Sequence, residues 1–181
     1  NRIFIVLFLI VSCDLNCQTT VCTGATSVTV NGACLTQNIV IGSSTIEAPN
    51  PPSCASITGS TRDYWFRFTA TNSTATISVQ SISASINREI AFVVYNAPCV
   101  AGLVTNTAEV ACVNSIISTA VQTETVVLAS LVPTQLYFIR VLGYNGGSGS
   151  TQVRVCINSP QPNDEPTSPS AISAPASSCS N

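Results

Sequence analysis

Nine cysteines and no histidine define the chemistry open to this chain. Without histidine, the commonest general base and the commonest metal ligand are both missing. A serine nucleophile would lack its base, and no Gly-x-Ser-x-Gly elbow occurs. Hydrolysis of glycosides needs two carboxyl groups flanking one bond. Asp63, Glu89, Glu109 and Glu124 are the carboxylates to draw on, and nothing in their spacing brings two together. The Gly-rich stretch Asn145-Gly146-Gly147-Ser148-Gly149 lacks the following helix and lysine of a phosphate loop, so it reads as a hairpin turn. The expectation is that this chain is not an enzyme.

The cysteines fit disulfides better than metal. They form no Cys-x-x-Cys pair, and their wide spacings argue against zinc. So many in one chain point to an oxidising compartment. Six fall within the expected domain: Cys22, Cys34, Cys54, Cys99, Cys112 and Cys156. Six cysteines allow many pairings, and sequence alone does not choose among them. The first pair expected is Cys99 with Cys112, which flank a short excursion between neighbouring strands. Cys34 with Cys54 would staple a proline-rich loop, leaving Cys22 with Cys156 to tie the first strand to the last. Each bridge is worth roughly 2–4 kcal/mol. Cys179 is left over, and its partner is expected in a continuation of the chain.

The elements that would carry these residues read as strands. Asp63-Tyr64-Trp65-Phe66-Arg67-Phe68 holds the only tryptophan and fits a pleated, half-buried surface. Alternation sends Tyr64, Phe66 and Phe68 to a core face and Trp65 and Arg67 to the other. Further strands are expected at Ser27 to Val30, Gln37 to Ile41, Ala75 to Val79, Ile90 to Tyr95, Val110 to Val113, Thr123 to Leu128, Leu136 to Tyr144 and Gln152 to Ile157. Asn31-Gly32 marks a tight turn. Breakers between Gly42 and Thr61 exclude a regular element there. No stretch shows a helical period. The expected fold is all-β, a disulfide-bonded antiparallel β-sandwich of jelly-roll type. A fibronectin-like or immunoglobulin-like sandwich is the alternative, with Leu131, Pro133 and Tyr137 as a candidate tyrosine corner.

Ile3 to Val11 is an apolar run behind Arg2, too short to span a bilayer and suited to a signal-peptide core. Residues 1–17 are therefore expected to be a signal peptide cut before Gln18, with a lipid anchor at Cys13 as the alternative. The module then spans residues 18–158, and no transmembrane helix is expected in the mature chain. Methionine is absent, so a truncated N-terminus is expected too. Charged residues make up only 8% with net charge −2, so no nucleic-acid partner is expected. Residues 159–181 read as a Pro/Ser-rich linker. Within it, Ala171-Ile172-Ser173 leading to Cys179 echoes Ala25-Thr26-Ser27 leading to Cys34, as a second repeat would.

An ordered set of phrases carries a resemblance: Asp63 to Ala70, Val93-Val94-Tyr95-Asn96-Ala97-Pro98-Cys99, Val110-Ala111-Cys112, Tyr137 to Val141 with Gly143 to Gly146, and Pro162-Asn163-Asp164-Glu165. In that order the chain resembles the repeated β-sandwich modules of secreted and cell-surface proteins of Bacteroidetes. Those modules are akin to the bacterial pre-peptidase C-terminal domain and are often exported by the type IX secretion system. The resemblance implies an extracellular or cell-surface location, further domains in the same chain, and a non-catalytic adhesion or accessory role. An accessory domain of a secreted peptidase or other hydrolase is the alternative, and a purely structural spacer repeat is a third reading. Where the family often carries aspartates, Glu89 and Asn114 stand here. Some related sandwiches hold Ca²⁺ in such loops, and the lost charge weakens that site, so no cofactor is expected. A glycan or other surface ligand is the partner expected, with Trp65, Tyr95 and Tyr144 as candidate stacking surfaces. At least two of the three are expected to belong to the core instead.

Overall fold

The computed structural model describes residues 21–41, 52–55, 61–82, 89–96, 98–100, 104, 108–114, 122–144 and 149–160. The expected signal peptide and the tail beyond Pro160, with its proposed repeat and Cys179, lie outside the described residues. Among the described residues the chain forms nine strands and one 3-10 turn, Cys22–Gly24. The strands are β1 (Thr26–Ser27), β2 (Leu35–Ile41), β3 (Thr61–Thr69), β4 (Ala75–Ser81), β5 (Glu89–Tyr95), β6 (Glu109–Val113), β7 (Thr123–Leu128), β8 (Leu136–Tyr144) and β9 (Gly149–Asn158).

They build two packed sheets, ordered β1-β3-β8-β5-β6 and β2-β9-β4-β7. Apart from β1, the strands pair from the outside in: β2 with β9, β3 with β8, β4 with β7 and β5 with β6, all antiparallel. The chain is thus a long hairpin rolled over until its halves face each other. Pairings of β9 with β4 and of β8 with β5 close the roll.

Alternation decides what lies between the sheets. Tyr64, Phe66 and Phe68 on β3 point inward, as do Ile90, Phe92 and Val94 on β5. Ile77 and Val79 on β4 meet them with Val153, Val155 and Ile157 on β9. Burying each large apolar side chain contributes about 1.5–3 kcal/mol before entropy is counted. Toward one end the interior turns polar, with Ser81, Gln122 and Glu124 buried. There Gln122 N–H donates to Ser81 Oγ at 3.0 Å, and Ile90 N–H donates to Gln122 Oε1 at 3.1 Å. Tyr137 accepts from Val132 N–H at 2.9 Å through its hydroxyl. That is the tyrosine-corner bond, here within nine strands.

The first strand is shorter than expected and begins earlier, at Thr26. It runs parallel to β3 for two residues and then departs. Val28 N–H still donates to Arg67, whereas Asn31 N–H donates to Ile157 of the opposite sheet. The segment expected as strand Ser27 to Val30 is therefore a crossing between sheets. Asn31 turns it with φ of 58°, a left-handed conformation that asparagine tolerates better than most residues.

The six cysteines expected to be oxidised are, but with different partners. The bridges are Cys22–Cys99, Cys34–Cys156 and Cys54–Cys112. Strand register explains why. Cys112 lies opposite Val93, well inside β5, whereas Cys99 lies past the end of that strand. Cys34 precedes Leu35, and Leu35 pairs with Val155, so Cys34 meets Cys156 across two neighbouring strands.

Candidate binding surface

The outer face of the five-stranded sheet carries the residues that sequence singled out. One row across it runs Trp65, Arg140, Val93, Cys112, set by the registers of β3, β8, β5 and β6. Arg140 is buried at its centre and donates from Nε to Asp63 Oδ2 at 2.7 Å. Its guanidinium carbon stands 5.5 Å from the Trp65 ring centre, within reach of a cation–π attraction. Trp65 and Tyr95 lie with ring centroids 5.7 Å apart. Burial pushes the Tyr95 hydroxyl above its ordinary 10.0, and the neighbouring Arg140 charge and hydrogen bond oppose that rise.

A layer of loop covers this cluster. Cys22, Ala25, Ala55 and Val104 pack on Trp65, Val93, Tyr95 and Leu142 as a second, smaller core. Two bridges hold the layer down, Cys22–Cys99 and Cys54–Cys112. Around the second bridge, Ser53 N–H donates to Glu109 Oε2 at 3.2 Å and the Ser53 hydroxyl bonds Oε1 of the same carboxylate. Asn114 Nδ2 donates to the Cys54 carbonyl at 3.2 Å.

Trp65 and Tyr95 are accordingly not open stacking surfaces. They are 4% and 1% exposed, because the loop layer occupies the space a sugar ring would need. Tyr144 closes β8 opposite Thr61 and Glu89, and its side chain lies outside the described residues. The candidate calcium ligands part in the same way. Glu89 opens β5, with its side chain outside the described residues, and Asn114 spends its amide on loop 52–55. Among the described residues, no group of three His, Cys, Asp or Glu is arranged to hold a metal ion. Asp63 is engaged by Arg140, Glu109 by Ser53, and Glu124 is buried in the facing sheet.

The layer stops short of one end of the same face. There β1 leaves β3, and a groove of about 280 Å³ opens between Ser27 to Val30 and Arg67, Phe68, Thr69 and Thr71, with Leu136 at its side. A second hollow of about 430 Å³ lies across Leu136, lined by Asn96, Pro98, Cys99, Gln135 and Phe138. Leu136 is the shared wall and is 41% exposed. Gln135 Nε2 bonds Asn96 Oδ1 at the rim of the second hollow. The turn before β8 presents Gln135, with Thr134 at φ of 70°. That value is uncommon for a β-branched side chain and marks a constrained backbone. The signal was present in sequence: Leu136, Phe138 and Leu142 alternate on the outer face of β8, an apolar face that must be covered or used.

Apolar walls with a few convergent polar groups are the usual make-up of a small-ligand site. The molecule is a disulfide-bonded, all-β sandwich whose described surface carries two hollows of that make-up at one end of one sheet. No family model, no curated protein and no solved structure matches the chain.

Proposed function

We propose that the chain is a non-catalytic extracellular module of a larger secreted or cell-surface protein, binding glycan in an adhesion or accessory role. The observation that carries the glycan reading is the pair of hollows sharing Leu136, rimmed by Asn96, Gln135, Arg67 and threonine hydroxyls. An exposed apolar wall suits the C–H face of a pyranose, and amides and hydroxyls suit its hydroxyl groups. The extracellular reading is supported by three bridges spanning 58 to 122 residues of sequence, which persist in oxidising compartments. Pairing of β2 with the last strand, β9, supports the jelly roll. The resemblance to Bacteroidetes surface modules supports export through a signal peptide by the type IX system and further domains in the same chain.

The test is a glycan array probed with the oxidised chain and two variants. Leu136→Asp is expected to abolish binding while leaving the protein folded. Val127→Asp, on the opposite side of the sandwich, is expected to bind as the parent does. Silence from a folded, oxidised parent would overturn the glycan reading in favour of a spacer repeat.

A further inference from the structure

Resting on that glycan reading, we propose that the groove between β1 and β3 selects acidic sugars, with Arg67 binding the carboxylate of a uronate-type residue. Arg67 is half-buried beside the groove, and its Nε donates to Ser27 Oγ at 3.0 Å. That bond fixes the plane of the guanidinium and leaves its two terminal nitrogens to meet a ligand. Among the described residues no carboxylate pairs with Arg67; the ion pair there joins Arg140 to Asp63. An arginine on a groove wall with no counter-ion among the described residues is matched by a ligand that brings one.

The remaining groups complete the fit. Thr29, Thr69 and Thr71 line the groove and suit ring hydroxyls, while Val28 and Leu136 give the apolar wall. Its volume of about 280 Å³ lies near the lower limit for small-molecule sites, so it takes one sugar residue and not an extended chain. A planar guanidinium can hold a carboxylate through two parallel N–H bonds, which a lysine cannot reproduce. The chain as a whole is acidic, with net charge −2. Long-range attraction therefore does not favour polyanions, and selectivity for an acid must come from the local contact.

The experiment measures binding of the oxidised chain to matched oligosaccharides ending in glucuronate or glucose. The parent is expected to prefer the acidic member at least tenfold. Arg67→Gln is expected to remove that preference, lowering binding of the acidic sugar at least tenfold more than binding of the neutral one. Arg67→Lys should recover only part of it. Ser27→Ala, a small surface change, should reduce the preference several-fold by releasing the guanidinium, so the idea stays testable if an Arg67 variant misfolds. Equal binding of the two sugars, or acidic preference surviving in Arg67→Gln, would overturn the inference while leaving the glycan module intact. Binding to neither sugar by a folded parent would sink both.

Discussion

The two outward faces of the sandwich solve the same problem in opposite ways. On the five-stranded sheet β5 is apolar on both sides, and around the Asp63–Arg140 pair the outer face carries Trp65, Val93, Tyr95, Phe138 and Leu142 and needs a cover. Two bridged loops supply it. On the four-stranded sheet, the outward positions are Thr76, Ser78 and Gln80 on β4, Thr123 and Thr125 on β7, and Gln152 and Arg154 on β9, all exposed or half-buried. That face needs no cover. Ser78 and Thr125 meet across strands at 3.1 Å, and Gln152 Nε2 donates to Asn38 Oδ1 at 3.0 Å. A face that buries its outer residues acquires a third layer, and at the margin of that layer hollows form. A face whose outward residues are mostly polar needs no such layer, and its side chains bond one another.

The covered face should therefore be the fragile one. Asp63→Ala leaves Arg140 charged, buried and without its carboxylate partner. Breaking a buried pair in this way costs about 3–5 kcal/mol, readable as a lower midpoint in urea unfolding. A loss below about 1 kcal/mol, the range of exposed pairs, would mean that Arg140 is not the anchor of this layer. Next in size is the Cys54→Ser, Cys112→Ser double variant. Opening that bridge is expected to cost about 2–4 kcal/mol and to loosen loop 52–55 over the cluster. Trp65 is the only tryptophan, so its emission should shift to the red if the layer lifts. An unshifted spectrum with reduced stability would show that the bridge matters only to the unfolded chain.

Much of this contrast was legible in the sequence. Alternation in Ala75 to Val79 and in Tyr64, Phe66 and Phe68 named the inward side chains, and the structure agrees at each. It also named Trp65 and Arg67 as the outward pair on β3, but not what covers Trp65. The cover depends on where loops land, which local pattern does not encode. The cysteine pairing was hidden for the same reason. Cys34 and Cys156 are 122 residues apart in sequence and meet only because the hairpin lays β2 against β9. Asp63 and Arg140 sat in plain view as charges within two aromatic strands, and a charge at an outward position of an apolar strand asks for a partner. The open groove had the weakest signal, because it arises from the early departure of β1 after only two paired residues.

The four-stranded face supplies the smallest expected effects, and they sharpen the comparison most. Ser78→Ala removes one side of a cross-strand pair with Thr125, where such pairs are worth about 0.2–1 kcal/mol. Val127 is 70% exposed on edge strand β7, among threonines. Val127→Thr keeps the β-branched shape and matches its neighbours, so stability should change by less than about 0.5 kcal/mol. Both variants are measured by the same urea unfolding as Asp63→Ala. If Val127→Thr instead cost more than about 1 kcal/mol, beyond the usual effect of a surface change, its methyl groups would have to be packed against something. The four-stranded face would then carry a cover of its own, and the difference between the two faces would reduce to which loops lie over them.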